Sequence, residues 1–200
     1  MDVGIYVFDD VEVLDVAGPF EVFATASRVH TRGKVPAEEL FTLHVIGERV
    51  RPVRARAGLT LTCTQSFESH PPLDVLVVPG GEVTRELEQS DVIRWIAATA
   101  RTTRVTASVC TGAFLLAKAG LLDGLRATTH WEDVRAFQEM FPGVQLMEGP
   151  RWVDEGPLVT SAGISAGIDM SLHLVARLGG EDLAASTARQ MDYAWQDSGV

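Results

Sequence analysis

Apolar residues fall along the chain into two alternating patterns, short continuous runs and longer stretches with helical spacing. The runs are typical of strands buried on both faces of a sheet, and the spaced stretches are typical of helices that pack against it. The predicted strands span residues 2–8, 41–47, 73–81, 103–109 and 126–130. The predicted helices span residues 18–27, 92–100, 112–119, 131–140, 165–178 and 182–193, and Pro19 suits the first turn of the first helix. This alternation predicts an α/β fold with a mostly parallel central sheet covered on both faces.

Two further segments alternate apolar and polar residues about a turn. Residues 53–64 alternate around Ala57-Gly58, and residues 151–163 alternate around Glu155-Gly156. Each pattern predicts a β-hairpin. No internal repeat or linker divides the 200 residues, and 46% hydrophobic content is enough for one substantial core. We therefore expect a single domain over residues 1–200.

The change from strand pattern to helix pattern occurs at Cys110 and Thr111, with no loop between them. A nucleophile on such a sharp strand-to-helix turn is exposed at the edge of the sheet. The helix N-terminus favours the thiolate, so the pKa of Cys110 is expected to lie below the usual value of about 8.5 and the thiol to be partly ionised at neutral pH. The alternative for Cys110 is a small buried hydrophobic residue, which is the interpretation we give Cys63.

The carboxyl ends of parallel strands meet at one edge of a sheet, where ligands bind. The strands that end at residues 8, 78 and 109 are followed by loops that carry Asp15, Gly80-Gly81 and Cys110-Thr111. We expect the amides of Thr111 and of the glycine pair to stabilise an anion there. Asp15 has apolar neighbours, which favour a protonated carboxyl group that shares its proton with the thiolate. The alternatives are a helix N-cap for Asp15 and a plain tight turn for the glycines.

His130 and Trp131 follow the predicted strand 126–130 and are expected at the same edge of the sheet. A wall of the substrate pocket is the favoured interpretation, and a Cys–His pair with Cys110 is the alternative. Glu21 and Asp169 are interpreted as helix-face or capping groups rather than catalysts.

Composition excludes several classes of protein. The formal charge of −10 and the absence of a basic run argue against a nucleic-acid partner. No apolar run reaches the roughly 20 residues of a membrane helix, and the start of the chain lacks the features of a signal peptide, so we expect a cytoplasmic protein. Two unpaired cysteines and five scattered histidines predict reduced thiols, no metal site and no cofactor.

Four stretches together resemble the ThiJ/PfpI superfamily, also called class I glutamine amidotransferase-like: residues 14–23, 73–81, 108–131 and 160–180. The resemblance implies a flavodoxin-like three-layer sandwich with a cysteine nucleophile elbow, and usually a homodimer. One branch of the superfamily consists of isonitrile hydratases, lyases whose Asp, Cys and Thr motif positions match Asp15, Cys110 and Thr111. The other near branch is the sensor half of AraC-type regulators, which residues 25–40 resemble more closely. Because the sequence ends at Val200, we expect no DNA-binding half.

These observations lead to three hypotheses of function. The first is an enzyme that adds water to a small-molecule isonitrile through the Cys110 thiolate, with Asp15 as acid and base and Thr111 as the residue that positions Asp15 or the water. The second is a non-catalytic small-molecule or redox sensor, since an ionised, exposed cysteine is readily oxidised. The third is a glyoxalase or deglycase activity, which is disfavoured because Thr111, rather than histidine, follows the cysteine.

Overall fold

The computed structural model describes residues 1–33 and 38–200, and its central feature is a seven-stranded sheet. The strands are β1 (Asp2–Tyr6), β2 (Thr42–Gly47), β3 (Pro52–Arg54), β4 (Thr60–Thr62), β5 (Gln65–Ser66), β6 (Val75–Val78), β7 (Val105–Val109), β8 (Arg126–Ala127), β9 (Gln145–Leu146), β10 (Trp152–Asp154) and β11 (Leu158–Ser161). The helices are α1 (Val13–Thr31), α2 (Thr84–Glu88), α3 (Ser90–Ala100), α4 (Gly112–Lys118), α5 (Val134–Met140), α6 (Ala166–Gly179) and α7 (Glu181–Gln190). Residues 34–37 of the regulator-like segment 25–40 lie outside the described residues.

The strand order of the large sheet is β10-β11-β7-β6-β1-β2-β5. All neighbouring pairs are parallel except β10 with β11. Helices α1, α6 and α7 pack together into one layer, and α2, α3 and α4 pack into another. The central strands β6 and β7 are buried at every residue, as a sheet covered on both faces requires. The α/β prediction with a mostly parallel sheet is confirmed.

Both predicted hairpins are present. Strands β3 and β4 pair antiparallel around a turn in which Ala57 and Gly58 have positive φ values, and β10 and β11 pair antiparallel around Gly156. The last of the five predicted strands, residues 126–130, is shorter than predicted. Strand β8 ends at Ala127 and pairs with β9 in a separate two-stranded sheet. Beyond Ala127, the Thr128 amide donates to the side-chain hydroxyl of Thr160 in β11 rather than to a backbone carbonyl.

Helix α1 begins five residues earlier than predicted. Pro19, which we placed in the first turn, is the seventh residue of this helix. The chain just before the helix is anchored to the glycine loop, because Val11 bridges Gly81 and the Glu12 amide donates to the Gly80 carbonyl at 2.9 Å. That anchor starts the helix at Val13, and it moves Asp15 from the preceding loop into the first helical turn.

Across the described residues, none of the helices has the length and apolar character needed to cross a lipid bilayer. The single domain, the cytoplasmic location and the homodimer stay predictions.

Candidate active site

Cys110 occupies the turn between β7 and α4 in a strained backbone conformation. Its φ angle is 56°, in the left-handed region that costs a residue with a side chain on the order of 1–3 kcal/mol. Neighbouring groups hold this conformation on both sides. The Cys110 amide donates to the Ser161 carbonyl at 3.1 Å, and the Cys110 carbonyl accepts a hydrogen bond from the Thr129 hydroxyl at 3.0 Å. Strain maintained in this way is characteristic of functional sites.

Two glycines allow the chain to pack this tightly around Cys110. A Cβ atom on Gly112 would lie 2.1 Å from the Val78 carbonyl oxygen. A Cβ atom on Gly80 would lie 2.6 Å from the Thr111 amide nitrogen. Both contacts are with backbone atoms that cannot rotate away, so the start of α4 and the end of β6 approach closely only because these positions carry no side chain.

Asp15 is fully buried in the first turn of α1. Its Oδ2 atom accepts a hydrogen bond from the Gly80 amide at 3.0 Å, and its Oδ1 atom has no partner among the described residues. Burial raises the pKa of Asp15 to about 7, and the nearby Glu12 carboxylate adds to the rise. The alternative that Asp15 is the N-cap is wrong, because Glu12 holds that position.

Cys110 is only 7% exposed, and its side chain lies against Asp15. Burial first, and then the negative charge of Asp15, raise the pKa of Cys110 to about 12. The backbone amides of Thr111 and Ile164 act in the opposite direction but are outweighed. The prediction of a partly ionised thiol is therefore wrong for the resting protein. The thiol keeps its proton next to a carboxyl group that titrates near neutral pH.

The hydroxyl group of Thr111 holds the Gly80–Gly81 loop in place through two hydrogen bonds. It accepts a hydrogen bond from the Gly81 amide at 2.9 Å and donates one to the Gly81 carbonyl at 2.9 Å. The Gly80 amide is engaged with Asp15. The oxyanion role predicted for Gly80 and Gly81 is therefore corrected, because both amides already have partners inside the protein. Among the described residues, Thr111 is linked to Asp15 through this loop, because the loop's Gly80 amide donates to Asp15.

We expect Thr111→Val to lower the free energy of unfolding by about 1–3 kcal/mol, because it removes the hydroxyl partner of the partly buried amide and carbonyl of Gly81. Thr111→Ser keeps the hydroxyl and is expected to lose less than 1 kcal/mol, roughly the effect of one methyl group. Urea denaturation of the two variants measures the difference. Equal losses in both variants would mean that the hydroxyl does not fasten the loop.

A cavity of about 290 Å³ opens beside Cys110. It is lined by Cys110 and Thr111 together with Glu12, Arg56, Gly81, Glu82, His130, Glu132, Asp133 and Ile164. His130 therefore lies in the cavity wall, as predicted. Its Nδ1 atom accepts a hydrogen bond from the Glu132 amide at 3.4 Å, and Asp133 Oδ2 lies 3.4 Å from the same atom. These contacts fix the ring as the cap of the turn Trp131–Asp133.

Trp131 is not part of this cavity. Its side chain is 76% exposed and borders a neighbouring hollow that also contains Met147. The prediction that Trp131 binds substrate beside Cys110 is corrected. The strand that was expected to carry it to the sheet edge ends at Ala127, and the chain turns outward after His130.

Six residues of the cavity lining were not predicted from the sequence: Glu12, Arg56, Glu82, Glu132, Asp133 and Ile164. Ile164 has a φ angle of 50°, which is unusual for a β-branched residue. It follows β11, whose Ser161 lies opposite Val109 in a parallel pair. The rule that selected the other loops would have selected this one, but residues 151–163 were interpreted only as a hairpin.

Two other side chains that the sequence singled out, Cys63 and Asp169, have structural positions. Cys63 is 1% exposed, which confirms its place in the core. Asp169 is fully buried and accepts hydrogen bonds from Arg151, the Tyr193 hydroxyl and the Gln196 amide. These hydrogen bonds hold the residues after α7 against α6, so Asp169 is not a capping group. In the part of the chain that the structure describes, no three His, Cys, Asp or Glu side chains converge as metal ligands would.

The fold and this site define an α/β protein with a strained cysteine at the carboxyl edge of a mostly parallel sheet. The DJ-1/PfpI family profile matches residues 1–177, and the chain belongs to that family. A ThiJ/PfpI family protein from Pseudomonas syringae superimposes with a TM-score of 0.83 at 26% identity, over 96% of this chain and 74% of the other.

Two kinds of curated relative match nearly the whole chain. An isonitrile hydratase from Pseudomonas putida is 36% identical over 196 residues, which is 97% of this chain and 79% of the relative. The HTH-type transcriptional regulator GbdR of Pseudomonas aeruginosa is 31% identical over 191 residues, which is 96% of this chain. The chain spans 50% of that regulator's length, so about half of the regulator has no counterpart in it.

Proposed function

We propose that this protein is an isonitrile hydratase that converts R–N≡C and water into the N-substituted formamide R–NH–CHO. The observation that carries the proposal is the pairing of Cys110 with Asp15. A strained cysteine lies in a cavity wall, and a buried carboxyl group with a free oxygen atom lies against it. The 36% identical hydratase supports the choice of substrate class.

In the first step, ionised Asp15 takes the thiol proton while the Cys110 sulfur attacks the terminal isonitrile carbon. Asp15 then gives that proton to the same carbon, which yields the thioimidate R–N=CH–S–Cys. The high pKa of the thiol makes this transfer to an adjacent base necessary, since a free thiolate is scarce at neutral pH. The amides of Thr111 and Ile164 face the sulfur and stabilise negative charge as it develops there.

In the second step, Asp15 takes a proton from water, and the hydroxide adds to the thioimidate carbon. The electron pair of the C=N bond moves to nitrogen, which receives the proton from Asp15. The intermediate R–NH–CH(OH)–S–Cys then breaks its C–S bond. The hydroxyl proton returns to the sulfur through Asp15, and the formamide leaves. A carboxyl group that titrates near pH 7 suits both directions of proton transfer.

The test is incubation of the purified protein with a small aliphatic isonitrile. We expect the isonitrile to disappear and the matching formamide to form in equal amount, measured by proton NMR. An isonitrile that persists at micromolar enzyme would contradict the proposal.

The second candidate is a sensor domain that binds a small molecule without turnover, and the 31% identical regulator favours it. A redox sensor is disfavoured, because oxidation requires the thiolate and burial raises the pKa of Cys110. Saturable binding of an isonitrile or formamide, detected by calorimetry with no product formed, would favour the sensor over the enzyme.

A further inference from the structure

The cavity over Cys110 carries an excess of negative charge. Four of its lining residues are carboxylates and one is a guanidinium group; the carboxylates belong to Glu12, Glu82, Glu132 and Asp133, and the guanidinium to Arg56. Arg56 lies 3.6 Å from Glu12 and forms an ion pair with it. The charge of Arg56 also acts on Glu82. Among the described lining residues, Glu132 and Asp133 have only His130, when it is protonated, as a cationic neighbour, so four carboxylates share one guanidinium group.

The lining carboxylates act on the reacting atoms. The charge of Asp133 contributes to the raised pKa of Cys110, and the charge of Glu12 contributes to the raised pKa of Asp15. Glu82 stays ionised, because hydrogen bonds from Thr84 lower its pKa. In the thioimidate R–N=CH–S–Cys, the substituent R is only two atoms from the sulfur, so it must lie in the same field.

A second feature points to a ligand at this place. The Oδ1 atom of Asp15 is buried without a hydrogen-bond partner among the described residues, on a side chain that contacts Cys110 in the cavity wall. The volume of about 290 Å³ is small for an organic ligand, and the lining is mostly charged and polar rather than apolar. Both properties fit a short substituent with a polar end.

We propose that the cavity selects its substrates by charge: it favours isonitriles whose short alkyl substituent carries an ammonium group and disfavours those that carry a carboxylate. The choice of an isonitrile as the reacting group rests on the proposed function. The preference for a positively charged substituent rests only on the cavity. Glu82 and Glu132 at its rim are the specificity-determining residues, and Asp133 acts deeper, next to His130.

The first experiment compares three isonitriles of equal chain length that end in an ammonium group, a methyl group or a carboxylate. At 20 mM ionic strength we expect kcat/KM to fall in that order, with a ratio of about tenfold or more between the ammonium and carboxylate compounds. The ratio should shrink in 0.5 M NaCl, since salt screens charges near the surface. Equal values for the two charged compounds would overturn the inference while leaving isonitrile hydration intact.

Matched variants test which carboxylates set the preference for the ammonium compound. Glu82→Gln combined with Glu132→Gln is expected to reduce the ammonium-to-carboxylate ratio to about a third or less of its wild-type value. Glu139→Gln removes an equally exposed carboxylate that lies on α5 outside the cavity lining, so the ratio should not change. A ratio that stays at the wild-type value in the double variant would show that these two carboxylates do not set the preference.

The second experiment needs no turnover. Methanethiosulfonate reagents transfer a thioalkyl group to the Cys110 thiolate and release methanesulfinate, and they exist with either a trimethylammonium or a sulfonate end. Relative to a free thiol, Cys110 is expected to react at least about tenfold faster with the cationic reagent, as followed by peptide mass spectrometry. If no isonitrile reacts but this preference is found, the proposed function fails and charge selection stands. If the two reagents react equally, charge selection fails.

Discussion

The Cys110→Ser variant is expected to keep the wild-type fold and to lose isonitrile hydration by at least about 10³-fold, the usual consequence of removing a nucleophile. Serine has nearly the same shape, and its backbone can hold the same turn. Its hydroxyl group is a far weaker nucleophile, and the proton that Asp15 must remove is held more tightly. The measurement is the rate of formamide production, together with circular dichroism to check the fold.

The matched control is Cys63→Ser, which changes the other thiol of the chain. Cys63 lies in the core beside Gly47 and outside the cavity. This variant is expected to lose about 1–3 kcal/mol of stability through its buried hydroxyl group but to keep its turnover rate. Formamide production that persists in Cys110→Ser, or that disappears in both variants, would contradict the assignment of the nucleophile.

The parallel sheet and the corner at Cys110 could be predicted, because both depend on local pattern. Strand β6 is a continuous apolar run, β7 consists of residues that favour strands, and the switch of period at Cys110 is visible in the residues on either side of it. The rule that loops after parallel strands meet at one edge then brought Asp15, Gly80 and Cys110 together correctly. These steps need no knowledge of side-chain partners.

The state of the thiol could not be predicted, because it depends on a balance of opposing effects. A helix N-terminus lowers a thiol pKa, but that effect is confined to the first turn and α4 has only seven residues. Burial beside Asp15 acts in the opposite direction and is larger. Burial is a property of the assembled fold, and the sequence around residue 110 carries no measure of it.

The hydrogen-bond acceptors of the Gly80 and Gly81 amides could not be predicted from the sequence either. Sequence indicated that Gly80 and Gly81 let the backbone approach closely, which the contacts with Thr111 bear out. It did not indicate that Asp15 and Thr111 already accept hydrogen bonds from these two amides. Glycines indicate that other groups can approach the backbone closely. Tertiary packing decides which atoms accept the hydrogen bonds of the glycine amides.

The Asp15→Asn variant is expected to lower turnover by about 10²-fold to 10⁴-fold, the range for loss of a general acid and base. Asparagine keeps an oxygen atom for the Gly80 amide but cannot carry the thiol proton. In the wild type, turnover should fall as pH drops through about 7, because the protonated carboxyl group no longer accepts that proton. A wild-type rate that is constant from pH 5 to pH 9 would contradict this role.

The same substitution has a second, independent readout in the pH dependence of stability. The pKa of Asp15 is about 7 in the folded protein and 3.8 without the fold, so between these values the folded state binds a proton that the unfolded chain has released. The stabilising contribution is therefore complete below about pH 4 and is lost as pH rises through 7.

Asparagine removes this dependence. Relative to the wild type, Asp15→Asn should thus gain on the order of 2–4 kcal/mol in the free energy of unfolding between pH 4 and pH 8. Urea denaturation across that range measures the gain, and Glu139→Gln, which changes an exposed carboxylate, should run parallel to the wild type. A parallel curve for Asp15→Asn would mean that its carboxyl group is not the buried, proton-holding partner of Cys110.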